Sequence, residues 1–380
     1  MEPEVEKVPG VFNDDQPLLP LVKAEKEKAK EAAPYNLEAN LEMEIKARQK
    51  IIKLDSKTAQ LLPALVNIKT KEMTEEQEGD RSPIDLVCVI DISGSMSGEK
   101  IDLVRKTLVS LLELVNEHDR ICLIQFDDRA ERLTPLLRND KTNLPIFTSK
   151  IGQLRDRGGT NIATGMNLAF KVLQERKESN PVTSIFLLTD GLDGGADQRV
   201  NAHLIKHKLL ETTFTINCFG FGRDHDEDLL NNISKLKDGS FYFVDKLDTV
   251  DECFASALGG LMSVVALDIN LFVTNAAFKP FDGIAIKRTF GEMWIKQGVT
   301  SGYQIKLAQL LAGSEKGFML EIEIPPVDVK VGDAERNICI LDAEFSAHDK
   351  SGKHIVKKNA KLLIHLINEN EEIGEVDEDG

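Results

Sequence analysis

Asp85-Leu-Val-Cys-Val-Ile-Asp91-Ile-Ser93-Gly-Ser95-Met-Ser-Gly98 is the stretch from which the rest of the chain can be read. Its first half, Leu86–Ile90, is an unbroken apolar run between turn residues, the pattern of a strand buried on both faces. The run ends in Asp91-x-Ser93-x-Ser95, and a helix is expected soon after. Ile101, Val104, Leu108, Leu111, Leu112 and Val115 recur there at i, i+3, i+4, i+7 spacing. In open α/β sheets ligands gather at the carboxyl ends of strands, where the strand order reverses. A carboxylate and two hydroxyls at that edge are hard oxygen donors of the kind Mg²⁺ prefers. Thr160, in Gly-Gly-Thr-Asn, and Asp190, in Leu-Leu-Thr-Asp-Gly, add two more.

Outward from this stretch, residues 83–265 alternate between strand and helix patterns, the signature of a parallel sheet covered on both faces. Strands are expected at Asp85–Ile90, Arg120–Phe126, Ser184–Thr189, Phe214–Phe219 and Ser240–Val244. Ala130–Leu133 follows its neighbour so closely that only an antiparallel hairpin fits. Helices are expected near 98–116, 143–154, 161–177, 197–209, 226–236 and 249–264. Period-two alternation appears at Leu41–Ala47 and Ala64–Ile68, and returns between Leu267 and Asn368. Two strands cannot stand alone in water. Residues 37–72 and 266–368 are therefore expected to form one antiparallel β-sandwich. The fold class is α/β: a doubly wound, mostly parallel six-stranded sheet inserted in that sandwich. Residues 1–36 read as a flexible arm with an apolar knot at Leu18–Val22, and 369–380 as an acidic, solvated tail.

The formal net charge of −16 argues against nucleic acid or an anionic membrane as partner. No apolar run approaches the roughly 20 residues needed to span a bilayer. The N-terminus lacks the basic-then-apolar order of a signal peptide. The five cysteines show no C-x-x-C spacing and read as reduced thiols, three of them in buried strands. A cytoplasmic protein is expected.

An isolated Asp or Ser after a strand is usually a cap or a turn residue. Joint placement distinguishes Asp91, Ser93, Ser95, Thr160 and Asp190: three loops converge on one sheet edge, with no Lys or Arg expected among them. Two carboxylates balance a divalent ion, and Mg²⁺ takes six oxygens. At least one position is then left to exchangeable water, which an Asp or Glu of another protein can replace. Asp127, Asp128 and Asp193 read equally well as rim residues or as ordinary loop residues. Gly220-Phe-Gly222 lacks the third glycine of a dinucleotide loop and reads as a turn. Asp224, His225, Asp226 and Asp228 read as a loop and an acidic first helical turn. Met96 stands where a nucleophile elbow needs Ser. Ser93 stands where an aspartyl phosphatase needs its second Asp, and there is no P-loop.

Asp91-Ile-Ser-Gly-Ser, Gly-Gly-Thr160-Asn and Leu-Thr-Asp190-Gly resemble the metal-ion-dependent adhesion site of von Willebrand factor type A domains in all five positions. The resemblance covers about 83–265. It implies a six-stranded sheet with the metal at its upper rim, Mg²⁺ as the ion with Mn²⁺ or Ca²⁺ as alternatives, and acidic ligands. Gly-Phe-Gly-Arg-Asp-His-Asp-Glu-Asp at 220–228 and Gly-Gly-Leu-Met-Ser-Val-Val at 259–265 are similar to intracellular type A proteins, especially a plant group that also carries a RING finger. This sequence lacks the Cys/His set of a RING, so ligase activity does not carry over. The expectation is a non-catalytic adaptor that binds Asp or Glu of partner proteins through Mg²⁺, as part of a complex. The alternative is a structural subunit whose sandwich and arm make the contacts.

Overall fold

The computed structural model describes Phe12 and residues 14–19, 34–78, 81–245, 247–276, 283–298, 302–326, 336–368 and 370. The Lys/Glu/Ala run at 24–33, most of the apolar knot and the tail from 371 lie outside the described residues. The chain divides into two compact units. One comprises Met1–Ala33 and Glu78–Val264, the other Pro34–Gln77 and Val265–Gly380.

In the first unit the strands lie in the order 241–244, 215–221, 182–189, 84–91, 120–126, 130–132. The first five run parallel, and Ala130–Arg132 closes the edge as an antiparallel hairpin. A further two-residue strand, Leu137–Arg138, also pairs antiparallel with Arg120–Phe126, making seven strands rather than six. Every residue of Ile84–Asp91, Val182–Thr189 and Thr215–Phe221 is buried, as central strands between two helical layers must be. Helices span Glu99–Leu114, Leu144–Gly152, Ile162–Glu175, Ala196–Lys206, Glu227–Lys235 and Leu247–Met262. Ile101, Val104, Leu108, Leu111 and Leu112 form the buried stripe of the first. Among the described residues no helix is long and apolar enough to cross a membrane.

The second unit is a sandwich. Leu41–Ala47, Gln60–Thr70, Glu315–Ile324 and Ala285–Thr289 form an antiparallel four-stranded sheet. Ile295–Lys296, Gly302–Leu311, Val264–Asn275, Asn337–Asp349, Ile355–Ile367 and Ile51–Lys53 form a six-stranded one. Inner residues of both, among them Val66, Ile68, Leu320, Leu271, Val273, Phe345 and Ile364, share one core. The sandwich is not wholly antiparallel: Ile51–Lys53 pairs parallel with Ile355–Ile367. Three residues carry too little alternation to announce a strand.

The expected flexible arm does not hold at its described residues. Tyr35 is buried in the sandwich core. Phe12 lies under the Arg132 guanidinium, 3.7 Å from its ring centroid, and its amide donates to Glu175 Oε2 at 2.8 Å. Gln16 donates its amide to the Leu136 carbonyl at 2.9 Å, and its side-chain oxygen accepts from the Arg138 amide at 2.9 Å. Asp15 accepts from the Leu136 amide at 2.9 Å. The segment thus satisfies backbone groups beside the sheet edge, a role with no hydrophobic periodicity to betray it.

Candidate metal centre

Ile84–Asp91 pairs in register with Val182–Thr189, Ile90 opposite Leu188, and with Arg120–Phe126 on its other side, Asp91 opposite Phe126. The chain leaves Ile84–Asp91 first to one flank and later returns to the other, so the strand order reverses beside Asp91. Asp91 and Asp190 therefore emerge together at the carboxyl edge, both wholly buried. The Thr189 hydroxyl joins them, donating to Asp91 Oδ2 at 2.5 Å and accepting from the Gly191 amide at 2.9 Å. Asp91 Oδ1 accepts from the Ser93 amide at 2.8 Å, and the Ser93 and Ser95 hydroxyls lie 3.0 Å apart. Ser93 is buried and Ser95 is exposed, so the cluster opens outward through Ser95.

Backbone bonds place the half-buried Thr160 beside this cluster. Gly94 donates to the Gly158 carbonyl at 3.1 Å, Arg157 to the Ile92 carbonyl at 2.6 Å and Asn161 to the Asp127 carbonyl at 3.0 Å. Gly159 donates to Asp128 Oδ2 at 3.0 Å. A Cβ on Gly159 would stand 2.5 Å from Asp128 Oδ1, which explains the second glycine of the Gly-Gly-Thr turn. Asp193 accepts from the Ile162 amide at 2.9 Å, at the start of the Ile162–Glu175 helix. Asp127 and Asp128 thus clamp the 157–161 loop to the hairpin after Arg120–Phe126, and Asp193 clamps the loop after Asp190 to the start of the Ile162–Glu175 helix. The Asp224–Asp228 stretch is likewise partly structural: Asp226 caps its helix by accepting from the Leu229 amide at 3.0 Å.

One expectation fails. A cation does stand among these residues: Lys100 Nζ lies 3.1 Å from Asp190 Oδ2 and 3.0 Å from Asp224 Oδ1. Lys100 is at the first turn of the Glu99–Leu114 helix, and nothing in linear spacing says which way such a side chain turns. Thr189 was missed for another reason: it reads as the last residue of an apolar strand, and its hydroxyl gains meaning only opposite Asp91.

The electrostatics are those of a site short of positive charge. Burial pushes the Asp91 carboxyl up to about 6, and the charge of Asp190 adds to that push against hydrogen bonds from Ser93 and Thr189. Burial pulls the Lys100 ammonium down, but the hydrogen bonds it donates to Asp224 and Asp190, with the charges of both carboxylates, hold it above its ordinary value. Asp190 Oδ1 is buried with no hydrogen-bond partner among the described residues. Buried carboxylate oxygens are normally satisfied, so one left bare beside a second buried carboxylate and two hydroxyls fits a bound cation. No group of three or more His, Cys, Asp or Glu suited to a metal occurs among the described residues. Any ion here rests on two carboxylates and on hydroxyls, a donor set for hard ions such as Mg²⁺ rather than for zinc. All five cysteines are free thiols, and burial pushes that of Cys88 up to about 12.

Residues 85–256 match the model of the von Willebrand factor type A domain. The chain is similar to the E3 ubiquitin-protein ligase WAV3 of Arabidopsis thaliana, 27% identical over 284 residues that cover 73% of this chain and 35% of the ligase. It is similar to the uncharacterized protein sll0103 of Synechocystis, 31% identical over 43% of this chain and 38% of that one. The chain therefore spans little more than a third of these relatives. Among solved structures it resembles a von Willebrand factor type A protein from Catenulispora acidiphila, with a TM-score of 0.66, 14% identity, and coverage of 86% of this chain and 74% of that one. The ArnB paralog VWA2 from Sulfolobus acidocaldarius gives a TM-score of 0.53 at 14% identity, covering 87% of this chain and 77% of that one.

Proposed function

Residues 85–256 form a von Willebrand factor type A domain, and from that premise we propose that the chain is a non-catalytic interaction module gripping acidic residues of partner proteins through a metal. Domains of this family generally mediate protein–protein interaction, in some cases with a metal. The proposed ion is Mg²⁺, with Mn²⁺ or Ca²⁺ as alternatives, held by Asp91, Ser93, Ser95, Thr160 and Asp190. Bound there, it supplies a positive centre on which an Asp or Glu of another protein can close. Asp91 is pre-oriented by the Ser93 amide and the Thr189 hydroxyl. Asp190 brings the second negative charge, and the exposed Ser95 marks the side from which a partner approaches. The chain is proposed to act in the cytoplasm within a larger complex. Ubiquitin transfer belongs to the name of the plant relative and is not proposed here.

The observation that carries this reading is the bare, buried Oδ1 of Asp190 next to Asp91. Calorimetric titration of the full chain with Mn²⁺ tests it. The wild type binds, and Asp91→Ala loses binding while its circular dichroism is unchanged. Binding that survives Asp91→Ala overturns the site. Partner capture from lysate that is indifferent to EDTA would move the contacts to other surfaces, as the structural-subunit reading requires.

A further inference from the structure

Asp190 and Asp91 are both buried carboxylates of the same cluster, yet they are supported differently. Asp91 receives an amide and a hydroxyl. Among the described residues the only ion-pair partner of Asp190 is Lys100, on Oδ2. Lys100 does not belong to Asp190 alone: its ammonium is shared with Asp224, whose side chain is 64% exposed. The lysine stem reaches this position past Gly222, where a Cβ would stand 2.7 Å from Lys100 Cε and 2.9 Å from Asp224 Oδ1. Gly222 also has φ +84°, a backbone conformation that favours glycine. Gly220 and Phe221 end the Thr215–Phe221 strand rather than forming the expected turn, and Gly222, just beyond it, is shaped as the slot for this side chain.

We infer that Lys100 is an internal counter-cation that competes with the metal for Asp190, and that Asp224 is the acceptor to which its ammonium withdraws when the metal binds. The inference rests on the proposed metal site. Without a metal, the ammonium neutralises a carboxylate that has no other ion-pair partner among the described residues. With a metal, two cations would share Asp190 at close range in a buried setting, where their repulsion is poorly screened. Asp224 lowers the cost of the exchange because it already shares the ammonium and lies at the solvent boundary. The pair thus sets the metal concentration at which the site loads, and keeps the loops assembled before it does.

Two variants and their combination test the inference, read by Mn²⁺ affinity and by melting in EDTA. Lys100→Met binds Mn²⁺ about tenfold tighter or more, as expected when a unit charge a few ångströms from a divalent ion is removed. In EDTA the same variant melts several degrees below wild type, because Asp190 loses its counter-cation, and saturating Mn²⁺ restores it. Asp224→Asn, a surface change that keeps the test alive should Lys100→Met fold poorly, binds Mn²⁺ roughly threefold weaker or more. In the double variant most of that weakening disappears, since Asp224 acts through Lys100. Equal Mn²⁺ affinity of wild type and Lys100→Met overturns the competition alone. So does an Asp224→Asn effect that persists in full in the double variant. Mn²⁺ binding by neither wild type nor Lys100→Met overturns the metal site itself, and the competition with it.

Discussion

Asp91 shows how much of the site depends on single atoms. Its charge is buried, held by one amide and one hydroxyl, and faces a second carboxylate. With its carboxyl raised from 3.8 to about 6 in the folded protein, the folded state holds this proton more tightly than the unfolded chain. The associated stabilisation is present below about pH 4 and is lost as pH rises through 6, up to roughly 3 kcal/mol. Urea unfolding in EDTA at acid and neutral pH should show that loss in wild type, and Asp91→Asn should remove this part of the slope. Excess Mg²⁺ at neutral pH should restore the stability in wild type only. Thr189→Val strips the donor from Asp91 and the acceptor from the Gly191 amide, at a cost of about 1–3 kcal/mol. Thr189→Ser should recover most of it, by the same unfolding measurement. The positions of Asp91 and Asp190 were legible, as carboxylates that follow apolar runs at one sheet edge. Thr189 and Lys100 were not, because their meaning lies in what stands across from them.

Elements were read most securely where burial leaves one period and least where it leaves none. The wholly buried strands at Ile84–Asp91 and Val182–Thr189 and the helical stripe of Glu99–Leu114 lie where their patterns placed them. Ile51–Lys53 is too short to alternate, and the extended segment around Phe12 and residues 14–19 packs by hydrogen bonds and a cation–π contact instead of by a stripe. That segment gives its own expectation. Phe12 is stacked by Arg132 and approached by Lys171, 4.8 Å from the ring centroid. Phe12→Ala should therefore destabilise the protein by about 1–2 kcal/mol. Limited proteolysis should then cut near residues 12–19 faster than in wild type; an unchanged rate would mean that the segment is not held by this contact.

At the scale of the whole molecule, charge and proposed function pull in opposite directions. A chain of net charge −16 repels an acidic partner at long range, while its proposed site attracts one at contact. Association with an Asp- or Glu-bearing partner should therefore quicken when salt rises from about 20 to 150 mM, as screening shortens toward the ~8 Å Debye length. Stopped-flow or surface-resonance on-rates measure this, and rates that fall with salt would place the partner's contact on a basic surface. The sandwich carries a lesson at the same scale. Its strands come from both sides of an inserted domain of the other class, and Gln60–Thr70 pairs with Glu315–Ile324 across some 250 residues of chain. Alternation made the membership legible; it said nothing of which strand neighbours which.

By itself the sequence determined the periods. Apolar runs and stripes dictate which segments are strands, which are helices and which face each hides, because burial is a property each segment carries alone. It also determined which oxygen-bearing side chains reach the edge where the strand order turns. Only tertiary structure decided that Lys100 bends onto Asp190, that Thr189 bridges to Asp91 and that Gln16 seals the rim beside the sheet edge. Those are pairings between groups far apart in the chain, and a hydrogen bond or an ion pair exists only once packing has brought both partners within a few ångströms.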